Sequence, residues 1–157
     1  MLLTEVDIQM VVDVRAFPRS RANPQFNIEV LPASLASSGI GYQHISELGG
    51  RRHRSRTAPP SVNTFWSNQS FRNYADYAAT EAFHVGMSQL LELIGLHRCA
   101  IMCSESLWWR CHRRIISDYL LVRAIEVLHI MGPHTLSPAT LTVNARQLAN
   151  GTLLYPA

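Results

Sequence analysis

Three cysteines, Cys99, Cys103 and Cys111, are the strongest nucleophiles this sequence offers, and two of them stand in chemically suggestive company. Glu105 lies two residues after Cys103, while Arg110, His112 and Arg113 surround Cys111. A thiol attacks as its thiolate, a form that neighbouring guanidiniums and a helix N-terminus favour. Imidazoles titrate near neutral pH, so His112 is a natural general acid or base. Glu105 could orient it or take a proton itself. Cys99 lies inside an apolar run and reads as core packing. Cys103 and Cys111 could equally be packed core, a redox pair, or nucleophile and neighbour. Their spacing is not the Cys-x-x-Cys of a thioredoxin-type site. Zinc held by Cys103, Cys111 and His112 is disfavoured, because adjacent ligands make an awkward chelate and no fourth is evident. No metal and no cofactor are therefore expected.

The second chemical signal is arginine. The sequence has 14 basic residues, all arginine, and a net charge of +3. Guanidinium is the group of bidentate carboxylate and phosphate recognition, although coding bias in a GC-rich genome would give the same skew. Arg51, Arg52, Arg54 and Arg56 follow the pair Gly49-Gly50, and Trp66, Phe71, Tyr74 and Tyr77 come soon after. Basic residues interleaved with aromatics suit a phosphate backbone and stacked bases; a solvated loop before an aromatic helix is the bland alternative. Earlier in the chain, Asp13 and Arg15 could pair with each other or contact substrate, and Arg19 follows on the same loop.

The elements that must position these groups alternate. Residues 8–14 form a short β-branched apolar run that reads as a buried strand. Residues 28–38 read as a helix, with Asn27 as N-cap, Pro32 in the first turn and Gly39 as the stop. Residues 40–45 read as a second strand, 46–69 as a long polar loop, and 70–80 and 81–97 as helices. A third strand over 98–103, a helix over 110–123 and a fourth strand over 126–130 complete the pattern. Residues 131–157 form a partly extended tail, with weak strand character at 140–143 and near Leu153. Such alternation predicts an α/β domain with a mostly parallel sheet and helices on both faces. In these sheets ligands bind beyond the carboxyl ends of the strands. That rule gathers Asp13, Arg15, Arg19 and Arg21, then Glu47, Gly49, Gly50, Arg51 and Arg52, then Cys103, Glu105, Cys111, His112 and Arg113 on one edge.

Several separated motifs carry a resemblance. Asp13-Val14-Arg15, Pro18-Arg19-Ser20, Asn23-Pro24 and Phe26 are followed by Gly41-Tyr42, Glu47-Leu48-Gly49-Gly50 and Tyr74-Ala75. Then come Met102-Cys103-Ser104-Glu105, Trp109-Arg110-Cys111-His112-Arg113-Arg114, His129-Ile130, Ala145-Arg146 and Leu154-Tyr155. Together they resemble the bacterial family called domain of unknown function 488 along nearly the whole chain. The resemblance implies a Rossmann-like, three-layer α/β fold and adds Ser20, Asn23 and Tyr74 to the candidate binding residues. Family members usually open with a strand and helix ahead of Asp-Val-Arg. This chain starts near the end of that helix, which leads us to expect an open sheet edge and self-association through it.

The bulk composition bounds the rest. A chain of 157 residues with 47% hydrophobic and 16% charged residues fits one folded domain, 1–157, rather than a disordered segment. An odd cysteine count, no signal-like N-terminus and no apolar run of membrane length point to a cytoplasmic protein with no membrane partner. The leading expectation is an enzyme acting on a nucleotide, nucleic acid or other phosphate-bearing substrate. The rivals are a non-catalytic nucleic-acid-binding module using residues 51–56, and a structural or interaction domain.

Overall fold

Val11 and Val12 set the architecture, because successive residues of a strand point to opposite faces. In the computed structural model, which describes residues Met1–Ala157, they lie on β1 (Met10–Asp13) and are buried in two separate apolar clusters. Val11 joins Ile8, Leu31, Leu35 and Ile40, supplied largely by α2 (Leu31–Ala36), with Leu3 of α1 (Leu2–Glu5) at the margin. Val12 joins the larger cluster, built with Ile45, Leu48, Tyr74, Phe83, Met87, Leu90, Ile115, Tyr119, Leu153 and Tyr155. That cluster unites α3 (Gln69–Tyr77), α4 (Glu81–Leu96), α5 (Arg113–Leu121) and the C-terminal segment.

β1 is the central strand. It pairs in parallel with β2 (Gly41–His44) on one side and β3 (Cys99–Met102) on the other, in the order β2-β1-β3. The chain is thus a mixed α/β protein with a three-stranded parallel sheet and five helices. Local chemistry explains the boundaries. Gly39, at φ +73°, ends the segment after α2 as expected. Asn27 does not cap α2: its side-chain oxygen accepts the Ser20 N–H at 2.5 Å, and the helix starts only at Leu31. Asn68 caps α3 by accepting from Ser70 and Phe71, and Thr80 caps α4. Gly86 lets α4 lie against the turn at 46–48, where an added Cβ would stand 2.9 Å from Cβ of Glu47.

The expected fourth parallel strand is corrected. β4 (Leu128–Gly132) turns back at once through Pro133 and His134 into β5 (Thr135–Pro138), and the two pair antiparallel. So short a connection joins only antiparallel neighbours. The outer edge of β3 consequently has no strand partner and borders a cavity of about 490 Å³ lined by Cys99, Ile101, Trp108, Leu128 and Ile130. The tail is also more structured than expected. Residues 140–143 form no strand, but β6 (Arg146–Gln147) pairs with β7 (Leu153–Leu154), and Tyr155 inserts beside Trp66. Asp118 anchors this segment, accepting from the Thr142 N–H and the Tyr155 hydroxyl, each at 2.9 Å. No helix is long and apolar enough to cross a membrane.

Candidate functional site

The carboxyl ends of β1 and β3 converge, as the parallel register requires: Asp13 lies opposite Met102, and the Val14 N–H donates to the Met102 carbonyl at 2.9 Å. Cys103 leaves β3 at that point. The chain then makes a tight turn in which the Glu105 carboxylate accepts the Leu107 N–H at 3.0 Å, passes a helical turn over Trp108–Arg110, and brings Cys111 back to the start of α5. Sγ of Cys103, Sγ of Cys111 and a ring nitrogen of His112 all lie within 4.8 Å of one another.

His112 is held in one orientation. Its Nε2 is 2.8 Å from the Val14 carbonyl, which only accepts, so Nε2 carries a proton and the neutral ring keeps its lone pair on Nδ1. That Nδ1 stands 3.5 Å from the Cys111 sulfur. The ring packs on Tyr74 with centroids 4.9 Å apart, and the buried Tyr74 hydroxyl donates to the Leu48 carbonyl at 2.7 Å. On its other side the ring lies against Gly50, where an added Cβ would fall 2.3 Å from Nδ1. Gly50 is therefore required by close approach, and Tyr74 positions the imidazole from behind, away from the cleft lining.

The two thiols are inequivalent. Cys111 is 3% exposed, whereas Cys103 is half-buried and lines a cleft of about 880 Å³. The neighbouring Cys111 thiol, outweighing partial burial, holds Cys103 well below the ordinary thiol range, with further help from the Glu105 N–H. Cys111 moves the opposite way, raised by its interaction with Cys103, toward which it keeps its proton, and by burial. Arg113 pulls against this, since its Nε stands 3.2 Å from the Cys111 sulfur, yet it does not overturn the split. The lowered thiol of the coupled pair is thus the half-buried one in the cleft, and the raised one is the buried one. Arg113 also spans the turn, its guanidinium donating to the Glu105 carbonyl.

The other expected site residues divide. Asp13 and Arg15, both buried, form a bidentate ion pair with a shortest contact of 2.7 Å, and Tyr42 and the Phe26 carbonyl complete it. Burial opposes the Asp13 charge, but hydrogen bonds from Arg15 and Tyr42 hold its carboxyl below the usual range. Arg15, Arg19, Ser20, Gly50, Arg51, Cys103, Glu105, Cys111 and His112 all line the cleft. Asn23, Glu47, Gly49, Arg52 and Tyr74 do not. Arg52 grips the Gly49 and Ser46 carbonyls and lies 3.8 Å over the Tyr77 ring, while Arg54 pairs with Asp76 at 3.6 Å. The arginine run is thereby dispersed, and only Arg51 reaches the cleft. Glu105 shapes the turn and makes no contact with His112, whose orienting partner is the Val14 carbonyl. Trp108 stacks on His129 at 3.9 Å and walls the cavity beside β3.

Sequence reasoning passed over Phe17, which is 68% exposed and lies 5.7 Å from the Arg51 guanidinium. It also passed over Tyr42 as the third member of the Asp13 cluster. The register of β2 on β1, Val11 opposite Tyr42, was the signal for that contact, and it is visible only once the sheet order is known. Arg21 and Arg110 line the cleft too, and neither has an acidic partner. Three ligand atoms could hold a metal with one open position, the count of a catalytic rather than a structural zinc site. The Arg113 guanidinium against the Cys111 sulfur already supplies positive charge there, which repels a cation.

Comparison with known proteins agrees with the motifs. A family described as a domain of unknown function, DUF488, matches residues 2–120, and the chain belongs to that family. No curated protein and no solved structure matches it.

Proposed function

We propose that this chain is a thiol-dependent enzyme whose cleft takes a phosphate-bearing substrate, a nucleotide or a nucleic acid, with Cys103 as nucleophile. One observation carries the reading: the half-buried Cys103 opens onto a cleft where Arg21, Arg51 and Arg110 have no acidic partner. Guanidiniums without carboxylate partners attract an anionic ligand, and a fixed thiolate beside them attacks it. Beside that sulfur the Cys111 thiol can give a proton and Nδ1 of His112 can accept one. Phe17, exposed at the rim beside Arg51, offers a face for a base to stack on. The position of the cleft, beyond the carboxyl ends of parallel strands, is where a Rossmann-like domain binds its ligand. We take residues 1–157 as that one domain.

The test is protection. Site-resolved alkylation of Cys103 by iodoacetamide is measured with and without inorganic phosphate, a nucleoside monophosphate and a short oligonucleotide. The reading predicts that at least one slows Cys103 alkylation several-fold. The protection should weaken with salt as exposed charges are screened, and it should be lost in the double variant Arg21→Gln/Arg51→Gln. Equal rates with all three anions at low ionic strength would remove the phosphate reading.

A further inference from the structure

Cys103 and Cys111 have a second chemistry open to them besides attack on a substrate. They leave β3 and enter α5 at the two ends of one turn, and Arg113 ties those ends together by contacting the Cys111 sulfur and the Glu105 carbonyl. Their sulfurs lie within 4.8 Å in the same cleft, with Cys103 half-buried and Cys111 buried. This is the layout of an attacking and a resolving thiol. Cys99 is excluded from the pair: it lies four residues before Cys103, at the start of β3, its thiol donates to the His97 carbonyl at 3.6 Å, and burial raises it.

We propose that Cys103 and Cys111 form a dithiol that exchanges with small carboxylate-bearing disulfides entering the arginine-lined cleft. The proposal rests on the reading of Cys103 as the thiolate of the cleft. In the first step the Cys103 thiolate attacks one sulfur of the disulfide, the S–S bond breaks, and one thiolate leaves and picks up a proton from water. In the second, Cys111 gives its proton to Nδ1 of His112, which stands 3.5 Å away, and its sulfur attacks Sγ of Cys103. The second small thiolate departs and takes up that proton. Two protein thiols are oxidised to one disulfide, and one small disulfide is reduced to two thiols. Forming a bond of about 2.0 Å brings together two sulfurs that already lie within 4.8 Å. Arg21, Arg51 and Arg110 favour a disulfide that carries carboxylates.

Oxidised glutathione is the probe. The reduced full-length chain is incubated with it, quenched in acid and cleaved after arginine, which separates Cys103 from Cys111 at Arg110. Wild type should yield the two peptides joined by a disulfide, reversible with a dithiol reductant. Cys111→Ser should lose the cross-link completely and accumulate a glutathione adduct on Cys103. Cys99→Ser should behave as wild type. A wild-type protein that stops at a stable adduct on Cys103, or that pairs Cys103 with Cys99, overturns the exchange proposal and leaves the thiolate reading standing. No adduct on Cys103 in either wild type or Cys111→Ser overturns both. The wild-type result decides by itself should the variant fold poorly.

Discussion

At the scale of single residues, the buried pair Asp13–Arg15 is the clearest stability element and Gly50 the clearest support of the site. Replacing Asp13 by Asn leaves Arg15, only 5% exposed, without its countercharge. Breaking a buried pair from one side costs about 3–5 kcal/mol, to be read from urea unfolding at neutral pH. The sign of the pH dependence follows from the depressed Asp13 carboxyl. Its contribution is full above the unfolded carboxylate value of about 3.9 and is lost as pH falls through the lower folded value. The gap between wild type and Asp13→Asn should therefore close in acid; a gap below about 1 kcal/mol at neutral pH would contradict a buried pair. Gly50→Ala pushes a methyl into the His112 ring. Displacing the imidazole should slow Cys103 alkylation while Cys99 keeps its own rate. An unchanged Cys103 rate would show that the imidazole does not support that sulfur.

At the scale of elements, the open question is the unpartnered edge of β3. The Arg98 carbonyl accepts from Gln9 and Met10, and the Met102 carbonyl accepts from Val14. Backbone groups of a parallel strand alternate between its neighbours, so Cys99 and Ile101 direct theirs away from β1. Such an edge pairs with another chain. The mass measured by light scattering should rise with concentration, and Ile101→Pro, which removes an outward N–H, should reduce that rise. A monomer at every concentration would remove this expectation. The elements themselves were legible: three strands and four helices follow from apolar periodicity and, for the end of α2, from Gly39. Illegible were the pairing of β4, decided by the short turn at Pro133 and His134, and the start of α2, where Asn27 serves the loop at Ser20 instead of the helix. The candidate site was legible as a set, because the carboxyl ends of parallel strands must share an edge. Which members face the cleft was not. The grip of Arg52 on the 46–49 turn and the burial of Tyr74 behind His112 are three-dimensional facts with no local signature.

At the scale of the whole molecule, the C-terminal segment packs into the same core as the sheet, through Leu153 and Tyr155 against α5 and Trp66. Heat unfolding should therefore show one transition, with far-UV and aromatic signals coincident; two separated transitions would divide the chain into independent units. The net charge of +3 matters less than its placement, since three guanidiniums without acidic partners line the cleft that Cys103 enters. The central claim is that this sulfur is a thiolate at neutral pH, and the measurement that tests it most directly is the alkylation rate of each cysteine against pH, resolved by mass spectrometry. An ordinary thiol gains rate about tenfold per pH unit up to its pKa of about 8.5. The account predicts that Cys103 reacts fastest, at a rate nearly flat through neutral pH, with Cys99 and Cys111 slow. A Cys103 rate that climbs with pH like a free thiol, or a faster reaction at Cys111, would contradict it.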